Sequence, residues 1–494
     1  MTSHDKNAAS GAEPDEHPVK TTIAFEECDN GVPPGIAERM IDLTIGEEKG
    51  DVESMKKLAW HYENGVGVKR DLNRAFDLYT RVFHGPSGNI SEALADDTWT
   101  QNEEMIETWL RLAEEGHAGS QNCVGLFHFI CKQNKEKAFE WFEKASRQGC
   151  DIAMFNVGRC YDNGEGVTQD FKKAFEWYLK SANNGNVDAM CNVGVCYENG
   201  QGVEQDFTKA LKWFFKAARN GNAIAMFSVG MCYLEGRGVT QDQANVFGWF
   251  MKSANNGFDK AMCMVGVCYH EGLGVTQDLT KAYEWCLKAA ENGNAVAVCA
   301  VGMCYYNGQG VKQDFTKAFE WFLKAANNGY ADAMFKVGEC YEKGQGVTKD
   351  FTKAFEWFLK SANNGSATAM FAVGWCYHEG KGVAQDFTKA FEWYLKAANN
   401  GSVTAMFNVG WCYHEGKGVT QDLMKAFEWF LKSANNGNSD AMNSVGLCYL
   451  EGEGVTQDIT NAFEWYFKSA QNGNADAMNK VGKCYSKGQG VEKD

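Results

Sequence analysis

Tryptophan, cysteine, tyrosine, histidine and glutamate stand together twice in this chain, as WCYHEG at 375–380 and again at 411–416. A thiol, an imidazole and a carboxylate this close could ligate a metal, or form a nucleophile with its base. A zinc site would want a Cys-x-x-Cys or a matching pair from another segment, and neither is present. The cysteine and tyrosine also recur where the histidine and glutamate do not. His378 and His414 lie one unit apart, where a shared ligand competes with the ordinary state of a solvated histidine. Neither a metal nor a cofactor is expected, and no residue is assigned a catalytic role.

The hexapeptide belongs to a longer period. V-G-x-C-Y recurs with glycines at 158, 194, 230, 266, 302, 338, 374, 410, 446 and 482, each 36 residues after the last. A fixed period changes the meaning of every motif inside it. Nine full units fill 151–474, and the first half of a tenth occupies 475–494. Residues 118–150 keep the pattern with a loop three residues shorter. Residues 51–84 keep the loop without the cysteine. An insertion begins after His84, a helix-like EEMIETWLRLAEEG follows it, and 35–48 has the look of a capping helix. The domain reading is therefore a disordered polar tail over 1–34, then a capping helix, degenerate repeat and insertion over 35–117. A shortened repeat (118–150), nine full repeats (151–474) and a half repeat (475–494) complete it.

Each unit should hold two amphipathic helices, A and B. In 403–438, Met406, Val409, Gly410 and Tyr413 make an i, i+3, i+4, i+7 stripe, and Ala426, Phe427, Phe430, Leu431 and Ala434 make the second. Gly416 and Gly418 can end helix A in left-handed geometry. Asp422 stands at the N-cap of helix B, as Asp does in every unit from Asp170 to Asp458. Gly437 should close helix B, and the Asn or Ser beyond it can cap the next helix A. Glu428/Lys432, and likewise Glu176/Lys180, Glu284/Lys288 and Glu320/Lys324, have the favourable i, i+4 order for surface ion pairs.

A unit reading A-M-x-x-V-G-x-C-Y-x-x-G-x-G-V-x-x-D-x-x-K-A-x-x-W-x-x-K-A-A-x-x-G resembles the Sel1-like repeat, a relative of the tetratricopeptide repeat. The resemblance covers roughly 51–494 and implies an all-α fold, a right-handed α-solenoid of stacked antiparallel helix pairs. It also implies a function, since members of that family serve mainly as adaptors in signalling, protein quality control and the regulation of enzymes such as chitin synthases. Some secreted relatives staple each unit with two cysteines, and some cysteine-rich ones have been linked to β-lactam binding or hydrolysis.

Residues at one register of an array recur because every unit buries the same surface. The ladder from Trp141 to Trp465 is therefore read as packing, at about 3–5 kcal/mol per fully buried ring. The ten in-register cysteines, Cys160 to Cys484, are read as small apolar fillers of helix A. Helix axes about 8–10 Å apart hold them too far apart for disulfides. Only one cysteine per unit is in register, a reduced and cytosolic usage. The hydrolase reading also lacks a convergent acid, base and nucleophile, and a Ser-x-x-Lys is not expected in this chain.

The residue before each ladder cysteine varies from unit to unit, so stacking does not dictate it. Helical spacing sets it beside the residues four before and three after. This gives the clusters Phe227/Met231/Leu234, Cys263/Val267/His270, Cys299/Met303/Tyr306, Phe371/Trp375/His378 and Phe407/Trp411/His414, with Leu447 and Leu450 in the next unit. In tetratricopeptide arrays helix A lines the concave surface. The resemblance thus makes Met231, Leu234, Val267, His270, Met303, Tyr306, Phe371, Trp375, His378, Phe407, Trp411, His414, Leu447 and Leu450 candidates for partner binding. Internal packing of the same stripe is the competing reading. Glu339 and Glu342 either divide the stripe or orient a basic side chain.

Composition bounds the partners. A formal charge of −16 disfavours nucleic-acid binding. No run approaches 18 apolar residues, so membrane insertion is not expected. The start lacks the apolar stretch of a signal peptide, which makes the expected location cytoplasmic. The leading expectation is a non-catalytic scaffold or adaptor for protein or peptide partners. The alternative is a regulatory subunit or activator of an enzyme complex. A homodimer through the half repeat is a further possibility.

Overall fold

The protein is described by a computed structural model that covers residues 36–66, 68–84 and 103–491. The tail read over 1–34 and the insertion after His84 lie outside those residues. The chain divides after Ala217 into two compact units. Among the described residues every regular element is a helix, and within each unit consecutive helices pack in antiparallel pairs, an α-solenoid.

In the first unit, α1 (Ile36–Glu48), α2 (Val52–Asn64), α3 (Leu72–His84) and α4 (Glu103–Glu114) precede α5 (Ala118–Ile130) and α6 (Lys135–Arg147). Met40 of α1 is buried in one cluster with Leu58 of α2 and Leu78 of α3. Trp109 of α4 is fully buried against Cys123 and Val124 of α5. Two buried carboxylates tie this region together. Glu47 takes Arg74 at 2.7 Å and also pairs with Arg81, while Glu63 takes a fork from Arg111 at 2.7 and 3.1 Å and the Tyr79 hydroxyl at 3.1 Å.

The second unit shows why the period is so strict. Asp422 accepts from the Lys425 amide at 3.0 Å and starts helix B (Leu423–Asn435), and that hydrogen bond holds its carboxyl below the usual range. Asn438 caps the next helix A (Ser439–Glu451) in the same way, while Phe258 and Tyr330 take that place without a side-chain bond. Helix A (Val403–Glu415) ends on Gly416 at φ 68°, and Gly437 follows helix B at φ 92°. Gly418 has a second role. A Cβ there would lie 1.9 Å from the Phe387 carbonyl oxygen, in helix B of the preceding repeat, so only glycine permits the repeats to stack this closely.

The core of each repeat is a ring against a glycine. A Cβ on Gly410 would meet the Phe430 ring at 2.6 Å, and Gly302 has the same relation to Phe322, Gly374 to Tyr394 and Gly446 to Tyr466. The residue after each ladder tryptophan is therefore the buried aromatic, except after Trp285, where the half-buried Cys286 faces Gly266. The tryptophans themselves are half-buried, so they pack at the edge of the core and the cost given for a fully buried ring does not apply to them. Trp393 and Trp429 lie against the clusters around Val373 and Val409 of their own repeats. Their outer faces carry lysine: Lys396 lies 4.1 Å from the Trp393 centroid and Lys432 4.6 Å from that of Trp429. Lys180, Lys288 and Lys324 do the same over Trp177, Trp285 and Trp321, so the lysines assigned to i, i+4 ion pairs cover indole rings instead.

Tyrosine makes the remaining rung. Tyr413 meets Phe391 of the previous helix B edge-on at 5.3 Å, and Tyr341 meets Phe319 at 5.4 Å. The ladder cysteines form no disulfides. Nine of the ten are buried and Cys304 is half-buried, and burial pushes Cys376 up to about 12 and Cys412 to about 11.

Candidate partner-binding surface

Once glycine, cysteine and tyrosine of helix A are committed to stacking, the position before the cysteine is left at the edge. Val267 is 41% exposed. Met231, Leu234, His270, Met303, Tyr306, Phe371, Trp375, His378, Phe407, Trp411, His414, Leu447 and Leu450 are half-buried. Packing claims part of this stripe. Phe371 tilts onto Tyr394 at 5.4 Å and Phe407 onto Phe430 at 5.6 Å, while Met231, Leu234, Met303 and Tyr306 border the core around Val265 and Val301.

Both histidines of the repeated hexapeptide turn Nδ1 to the following glutamate, Glu379 or Glu415, at 2.8 Å. Their other nitrogens differ. Nε2 of His378 is buried without a partner, between Phe387 at 5.3 Å and Trp411 at 5.7 Å. Nε2 of His414 lies 3.1 Å from Glu453 of the next repeat. Burial lowers the His414 pKa, but the bonds to Glu415 and Glu453 outweigh that and raise it above the usual value. No shared ligand site brings the two histidines together, and among the described residues no cluster of three His, Cys, Asp or Glu side chains could hold a metal.

A groove of about 450 Å³ opens where helix A of 331–366 meets helix A of 367–402. Phe335, Glu339 and Glu342 line one side, Thr368, Phe371, Ala372 and Trp375 the other, and Phe358 of helix B lies at its floor. Lys336 at 2.7 Å and Lys343 at 3.0 Å both engage Glu339. Burial raises the pKa of Glu339, yet those two lysines hold its carboxyl below the usual range. Glu342 has no hydrogen bond or ion pair among the described residues. Of the candidate stripe, only Phe371 and Trp375 reach this groove.

The residue between the two loop glycines belongs to the same surface, which sequence reasoning missed. Lys381 lies 4.0 Å from the Trp375 ring and Lys417 4.3 Å from that of Trp411. Gln345 accepts from the Tyr306 hydroxyl at 2.7 Å. A signal was available, because the two units with tryptophan before the cysteine are the two that read G-K-G. Contrary to expectation, Ser-x-x-Lys spacings do occur, at Ser3 and Lys6, outside the described residues, and at Ser54 and Lys57, within the first matched repeat. Ser54 is bonded to the capping Asp51 and Lys57 pairs with Glu53 at 3.3 Å, so both are occupied with helix-end chemistry.

The Sel1 repeat profile matches this chain twelve times, over 52–81, 124–150 and then without a break from 151 to 494. The chain belongs to the Sel1 repeat family. Among solved structures it is similar to a protective antigen of uropathogenic Escherichia coli strains that displays an SLR fold. That match has 28% identity and a TM-score of 0.55, and covers 90% of this chain and 93% of the other. It is also similar to a Sel1 repeat protein from Oxalobacter formigenes, with 31% identity, a TM-score of 0.50, 61% of this chain covered and 88% of the other. Among the described residues no helix of this Sel1 repeat protein is long and apolar enough to cross a membrane.

Proposed function

We propose that this Sel1 repeat protein is a non-catalytic scaffold that holds a protein or peptide partner on the helix A surface of residues 218–494. One observation carries the reading: an open groove walled by Phe335, Phe371 and Trp375, at the register where stacking leaves the residue free to vary. Tryptophan at such a position is a residue type enriched in interface hot spots. The reading is tested by affinity capture from a native lysate with wild type and with Trp375→Ala/Trp411→Ala, after circular dichroism has established equal helicity. A partner retained by the wild type and lost by the variant supports it, and equal capture by both would sink it. The narrower version, a regulatory subunit in the cytoplasm, requires the captured partner to be an enzyme whose activity changes on binding.

A second copy of the chain is a further proposed partner, at residues 475–494. In that segment Met478 is 52% exposed. Sedimentation velocity showing a monomer at micromolar concentration would remove this partner.

A further inference from the structure

Within residues 223–474 the groove at Trp375 differs from the other units in its charge. At the position of Glu342 the other units of residues 223–474 carry Leu234, His270, Tyr306, His378, His414 and Leu450, none of them acidic. The groove lining holds two carboxylates and no lysine or arginine. Glu339 is already engaged by Lys336 and Lys343, while Glu342 stands half-buried beside the aromatic walls with no hydrogen bond or close ion pair, Lys343 acting on it only through space. Any segment that closes over this groove strips water from Glu342. An apolar anchor would leave that carboxylate buried and unpaired, which costs more than the added apolar contact returns. A cationic side chain removes the penalty, and a planar guanidinium does so best, because it can fork onto a carboxylate while lying flat on an indole or phenyl face. The walls already draw a cation, since Lys381 lies 4.0 Å from the Trp375 centroid. At about 450 Å³ the groove falls within the range of clefts that hold small ligands, roughly 300–1,000 Å³, and has room for an arginine with an apolar neighbour.

We propose that this groove is an arginine-reading pocket: a partner segment inserts an arginine between the Trp375 and Phe371 side and the Glu342 carboxylate, with an adjacent apolar residue against Phe335. The inference rests on the scaffold reading above and names what that scaffold recognises. It implies that partners present a basic-apolar peptide, in keeping with the chain's formal charge of −16.

The test uses the full chain on an immobilised array of octapeptides, random except for a fixed central Arg, Lys, Gln, Leu or Glu. The expected result is retention on the Arg-centred set about tenfold or more above the Gln-centred set, as a charged hydrogen bond in a desolvated site predicts. That preference should disappear in Glu342→Gln and pass to Glu-centred peptides in Glu342→Lys, both with unchanged helicity. Equal retention of Leu- and Arg-centred peptides would overturn the pocket while leaving the scaffold reading intact, provided Trp375→Ala still abolishes retention. An Arg preference that survives Glu342→Gln would overturn it as well. No retention of any set by the wild type would overturn both readings for this groove.

Discussion

The α1–α4 region and the regular repeats of 223–474 solve the same stacking problem with opposite chemistry. In the repeats the fit is steric and neutral: Phe322 lies flat against Gly302, and the half-buried Trp321 closes the edge under Lys324. In α1–α4 the period is broken, and two carboxylates exposed by only 5–7%, Glu63 and Glu47, reach arginines from helices far away in sequence. Neutral rungs can be copied from unit to unit because each is complete within one pair. Ion pairs such as Glu63–Arg111 are specific to one place. A regular repeat is thus expected to tolerate changes at its edge and fail at its ring, while the first region should fail when a single charge is removed.

The largest effect is expected at the ring. Phe322→Ala removes a fully buried phenyl and should destabilise the second unit by about 3–5 kcal/mol, whereas Trp321→Ala, half-buried one residue earlier, should cost distinctly less. Urea unfolding followed by circular dichroism would rank the two. Equal losses would make the tryptophan as much a part of the core as the ring and erase the steric half of the comparison.

Next is Arg111→Ala, which leaves the Glu63 carboxylate buried with only the Tyr79 hydroxyl for company and should cost about 3–5 kcal/mol at most, locally. Hydrogen exchange should show the loss confined to α2–α4. Replacing both partners, Glu63→Gln with Arg111→Met, should recover much of it, since the uncompensated charge is gone. A double variant no better than the single would mean that the ion pair is not what holds the region.

Gly302→Ala places a methyl group 2.6 Å from the Phe322 ring, and overpacking of this kind costs about 1–3 kcal/mol. Combining it with Phe322→Leu should lose less than the sum of the two single changes, because the clash disappears with the ring. Additive losses would place the strain elsewhere in helix A.

Much of this was legible beforehand, for a physical reason. Helix ends are set by single residue types, so Asp422, Asn438 and Gly416 could be assigned their places from spacing alone, and the structure returns each of them. The buried ring could not be separated from its neighbour so readily, because Trp429 and Phe430 are both large aromatics in adjacent positions. Only the glycine facing Phe430 decides which goes inside. The fate of Lys432 was hidden for a similar reason: Glu428 and Trp429 are both within its reach, and a half-exposed indole won. At the candidate surface the stripe containing Trp375 was visible as variation within a strict period. Its covering by Lys381 depends on how the G-K-G loop turns back, and the lack of a hydrogen bond at Glu342 depends on two lysines choosing Glu339. Neither is encoded in spacing. The Glu63–Arg111 pair, 48 residues apart, left no periodic trace at all.

The smallest effect separates the two copies of WCYHEG. The loop glutamate Glu453 reaches back to His414, while the equivalent residue facing His378 is Lys417, which lies over Trp411 instead. The His414 pKa is raised in the fold, so its pairing stabilises fully below the unfolded value near 6.5 and is lost as pH rises through the folded value. Amide exchange in 403–455 should therefore quicken modestly between pH 6 and pH 8 relative to 367–400, after correction for intrinsic rates. Glu453→Gln should remove most of that difference. Parallel behaviour of the two segments in the wild type would mean that the identical hexapeptides are also equivalent in the fold, and that the neighbouring loop does not set the chemistry of the histidine it faces.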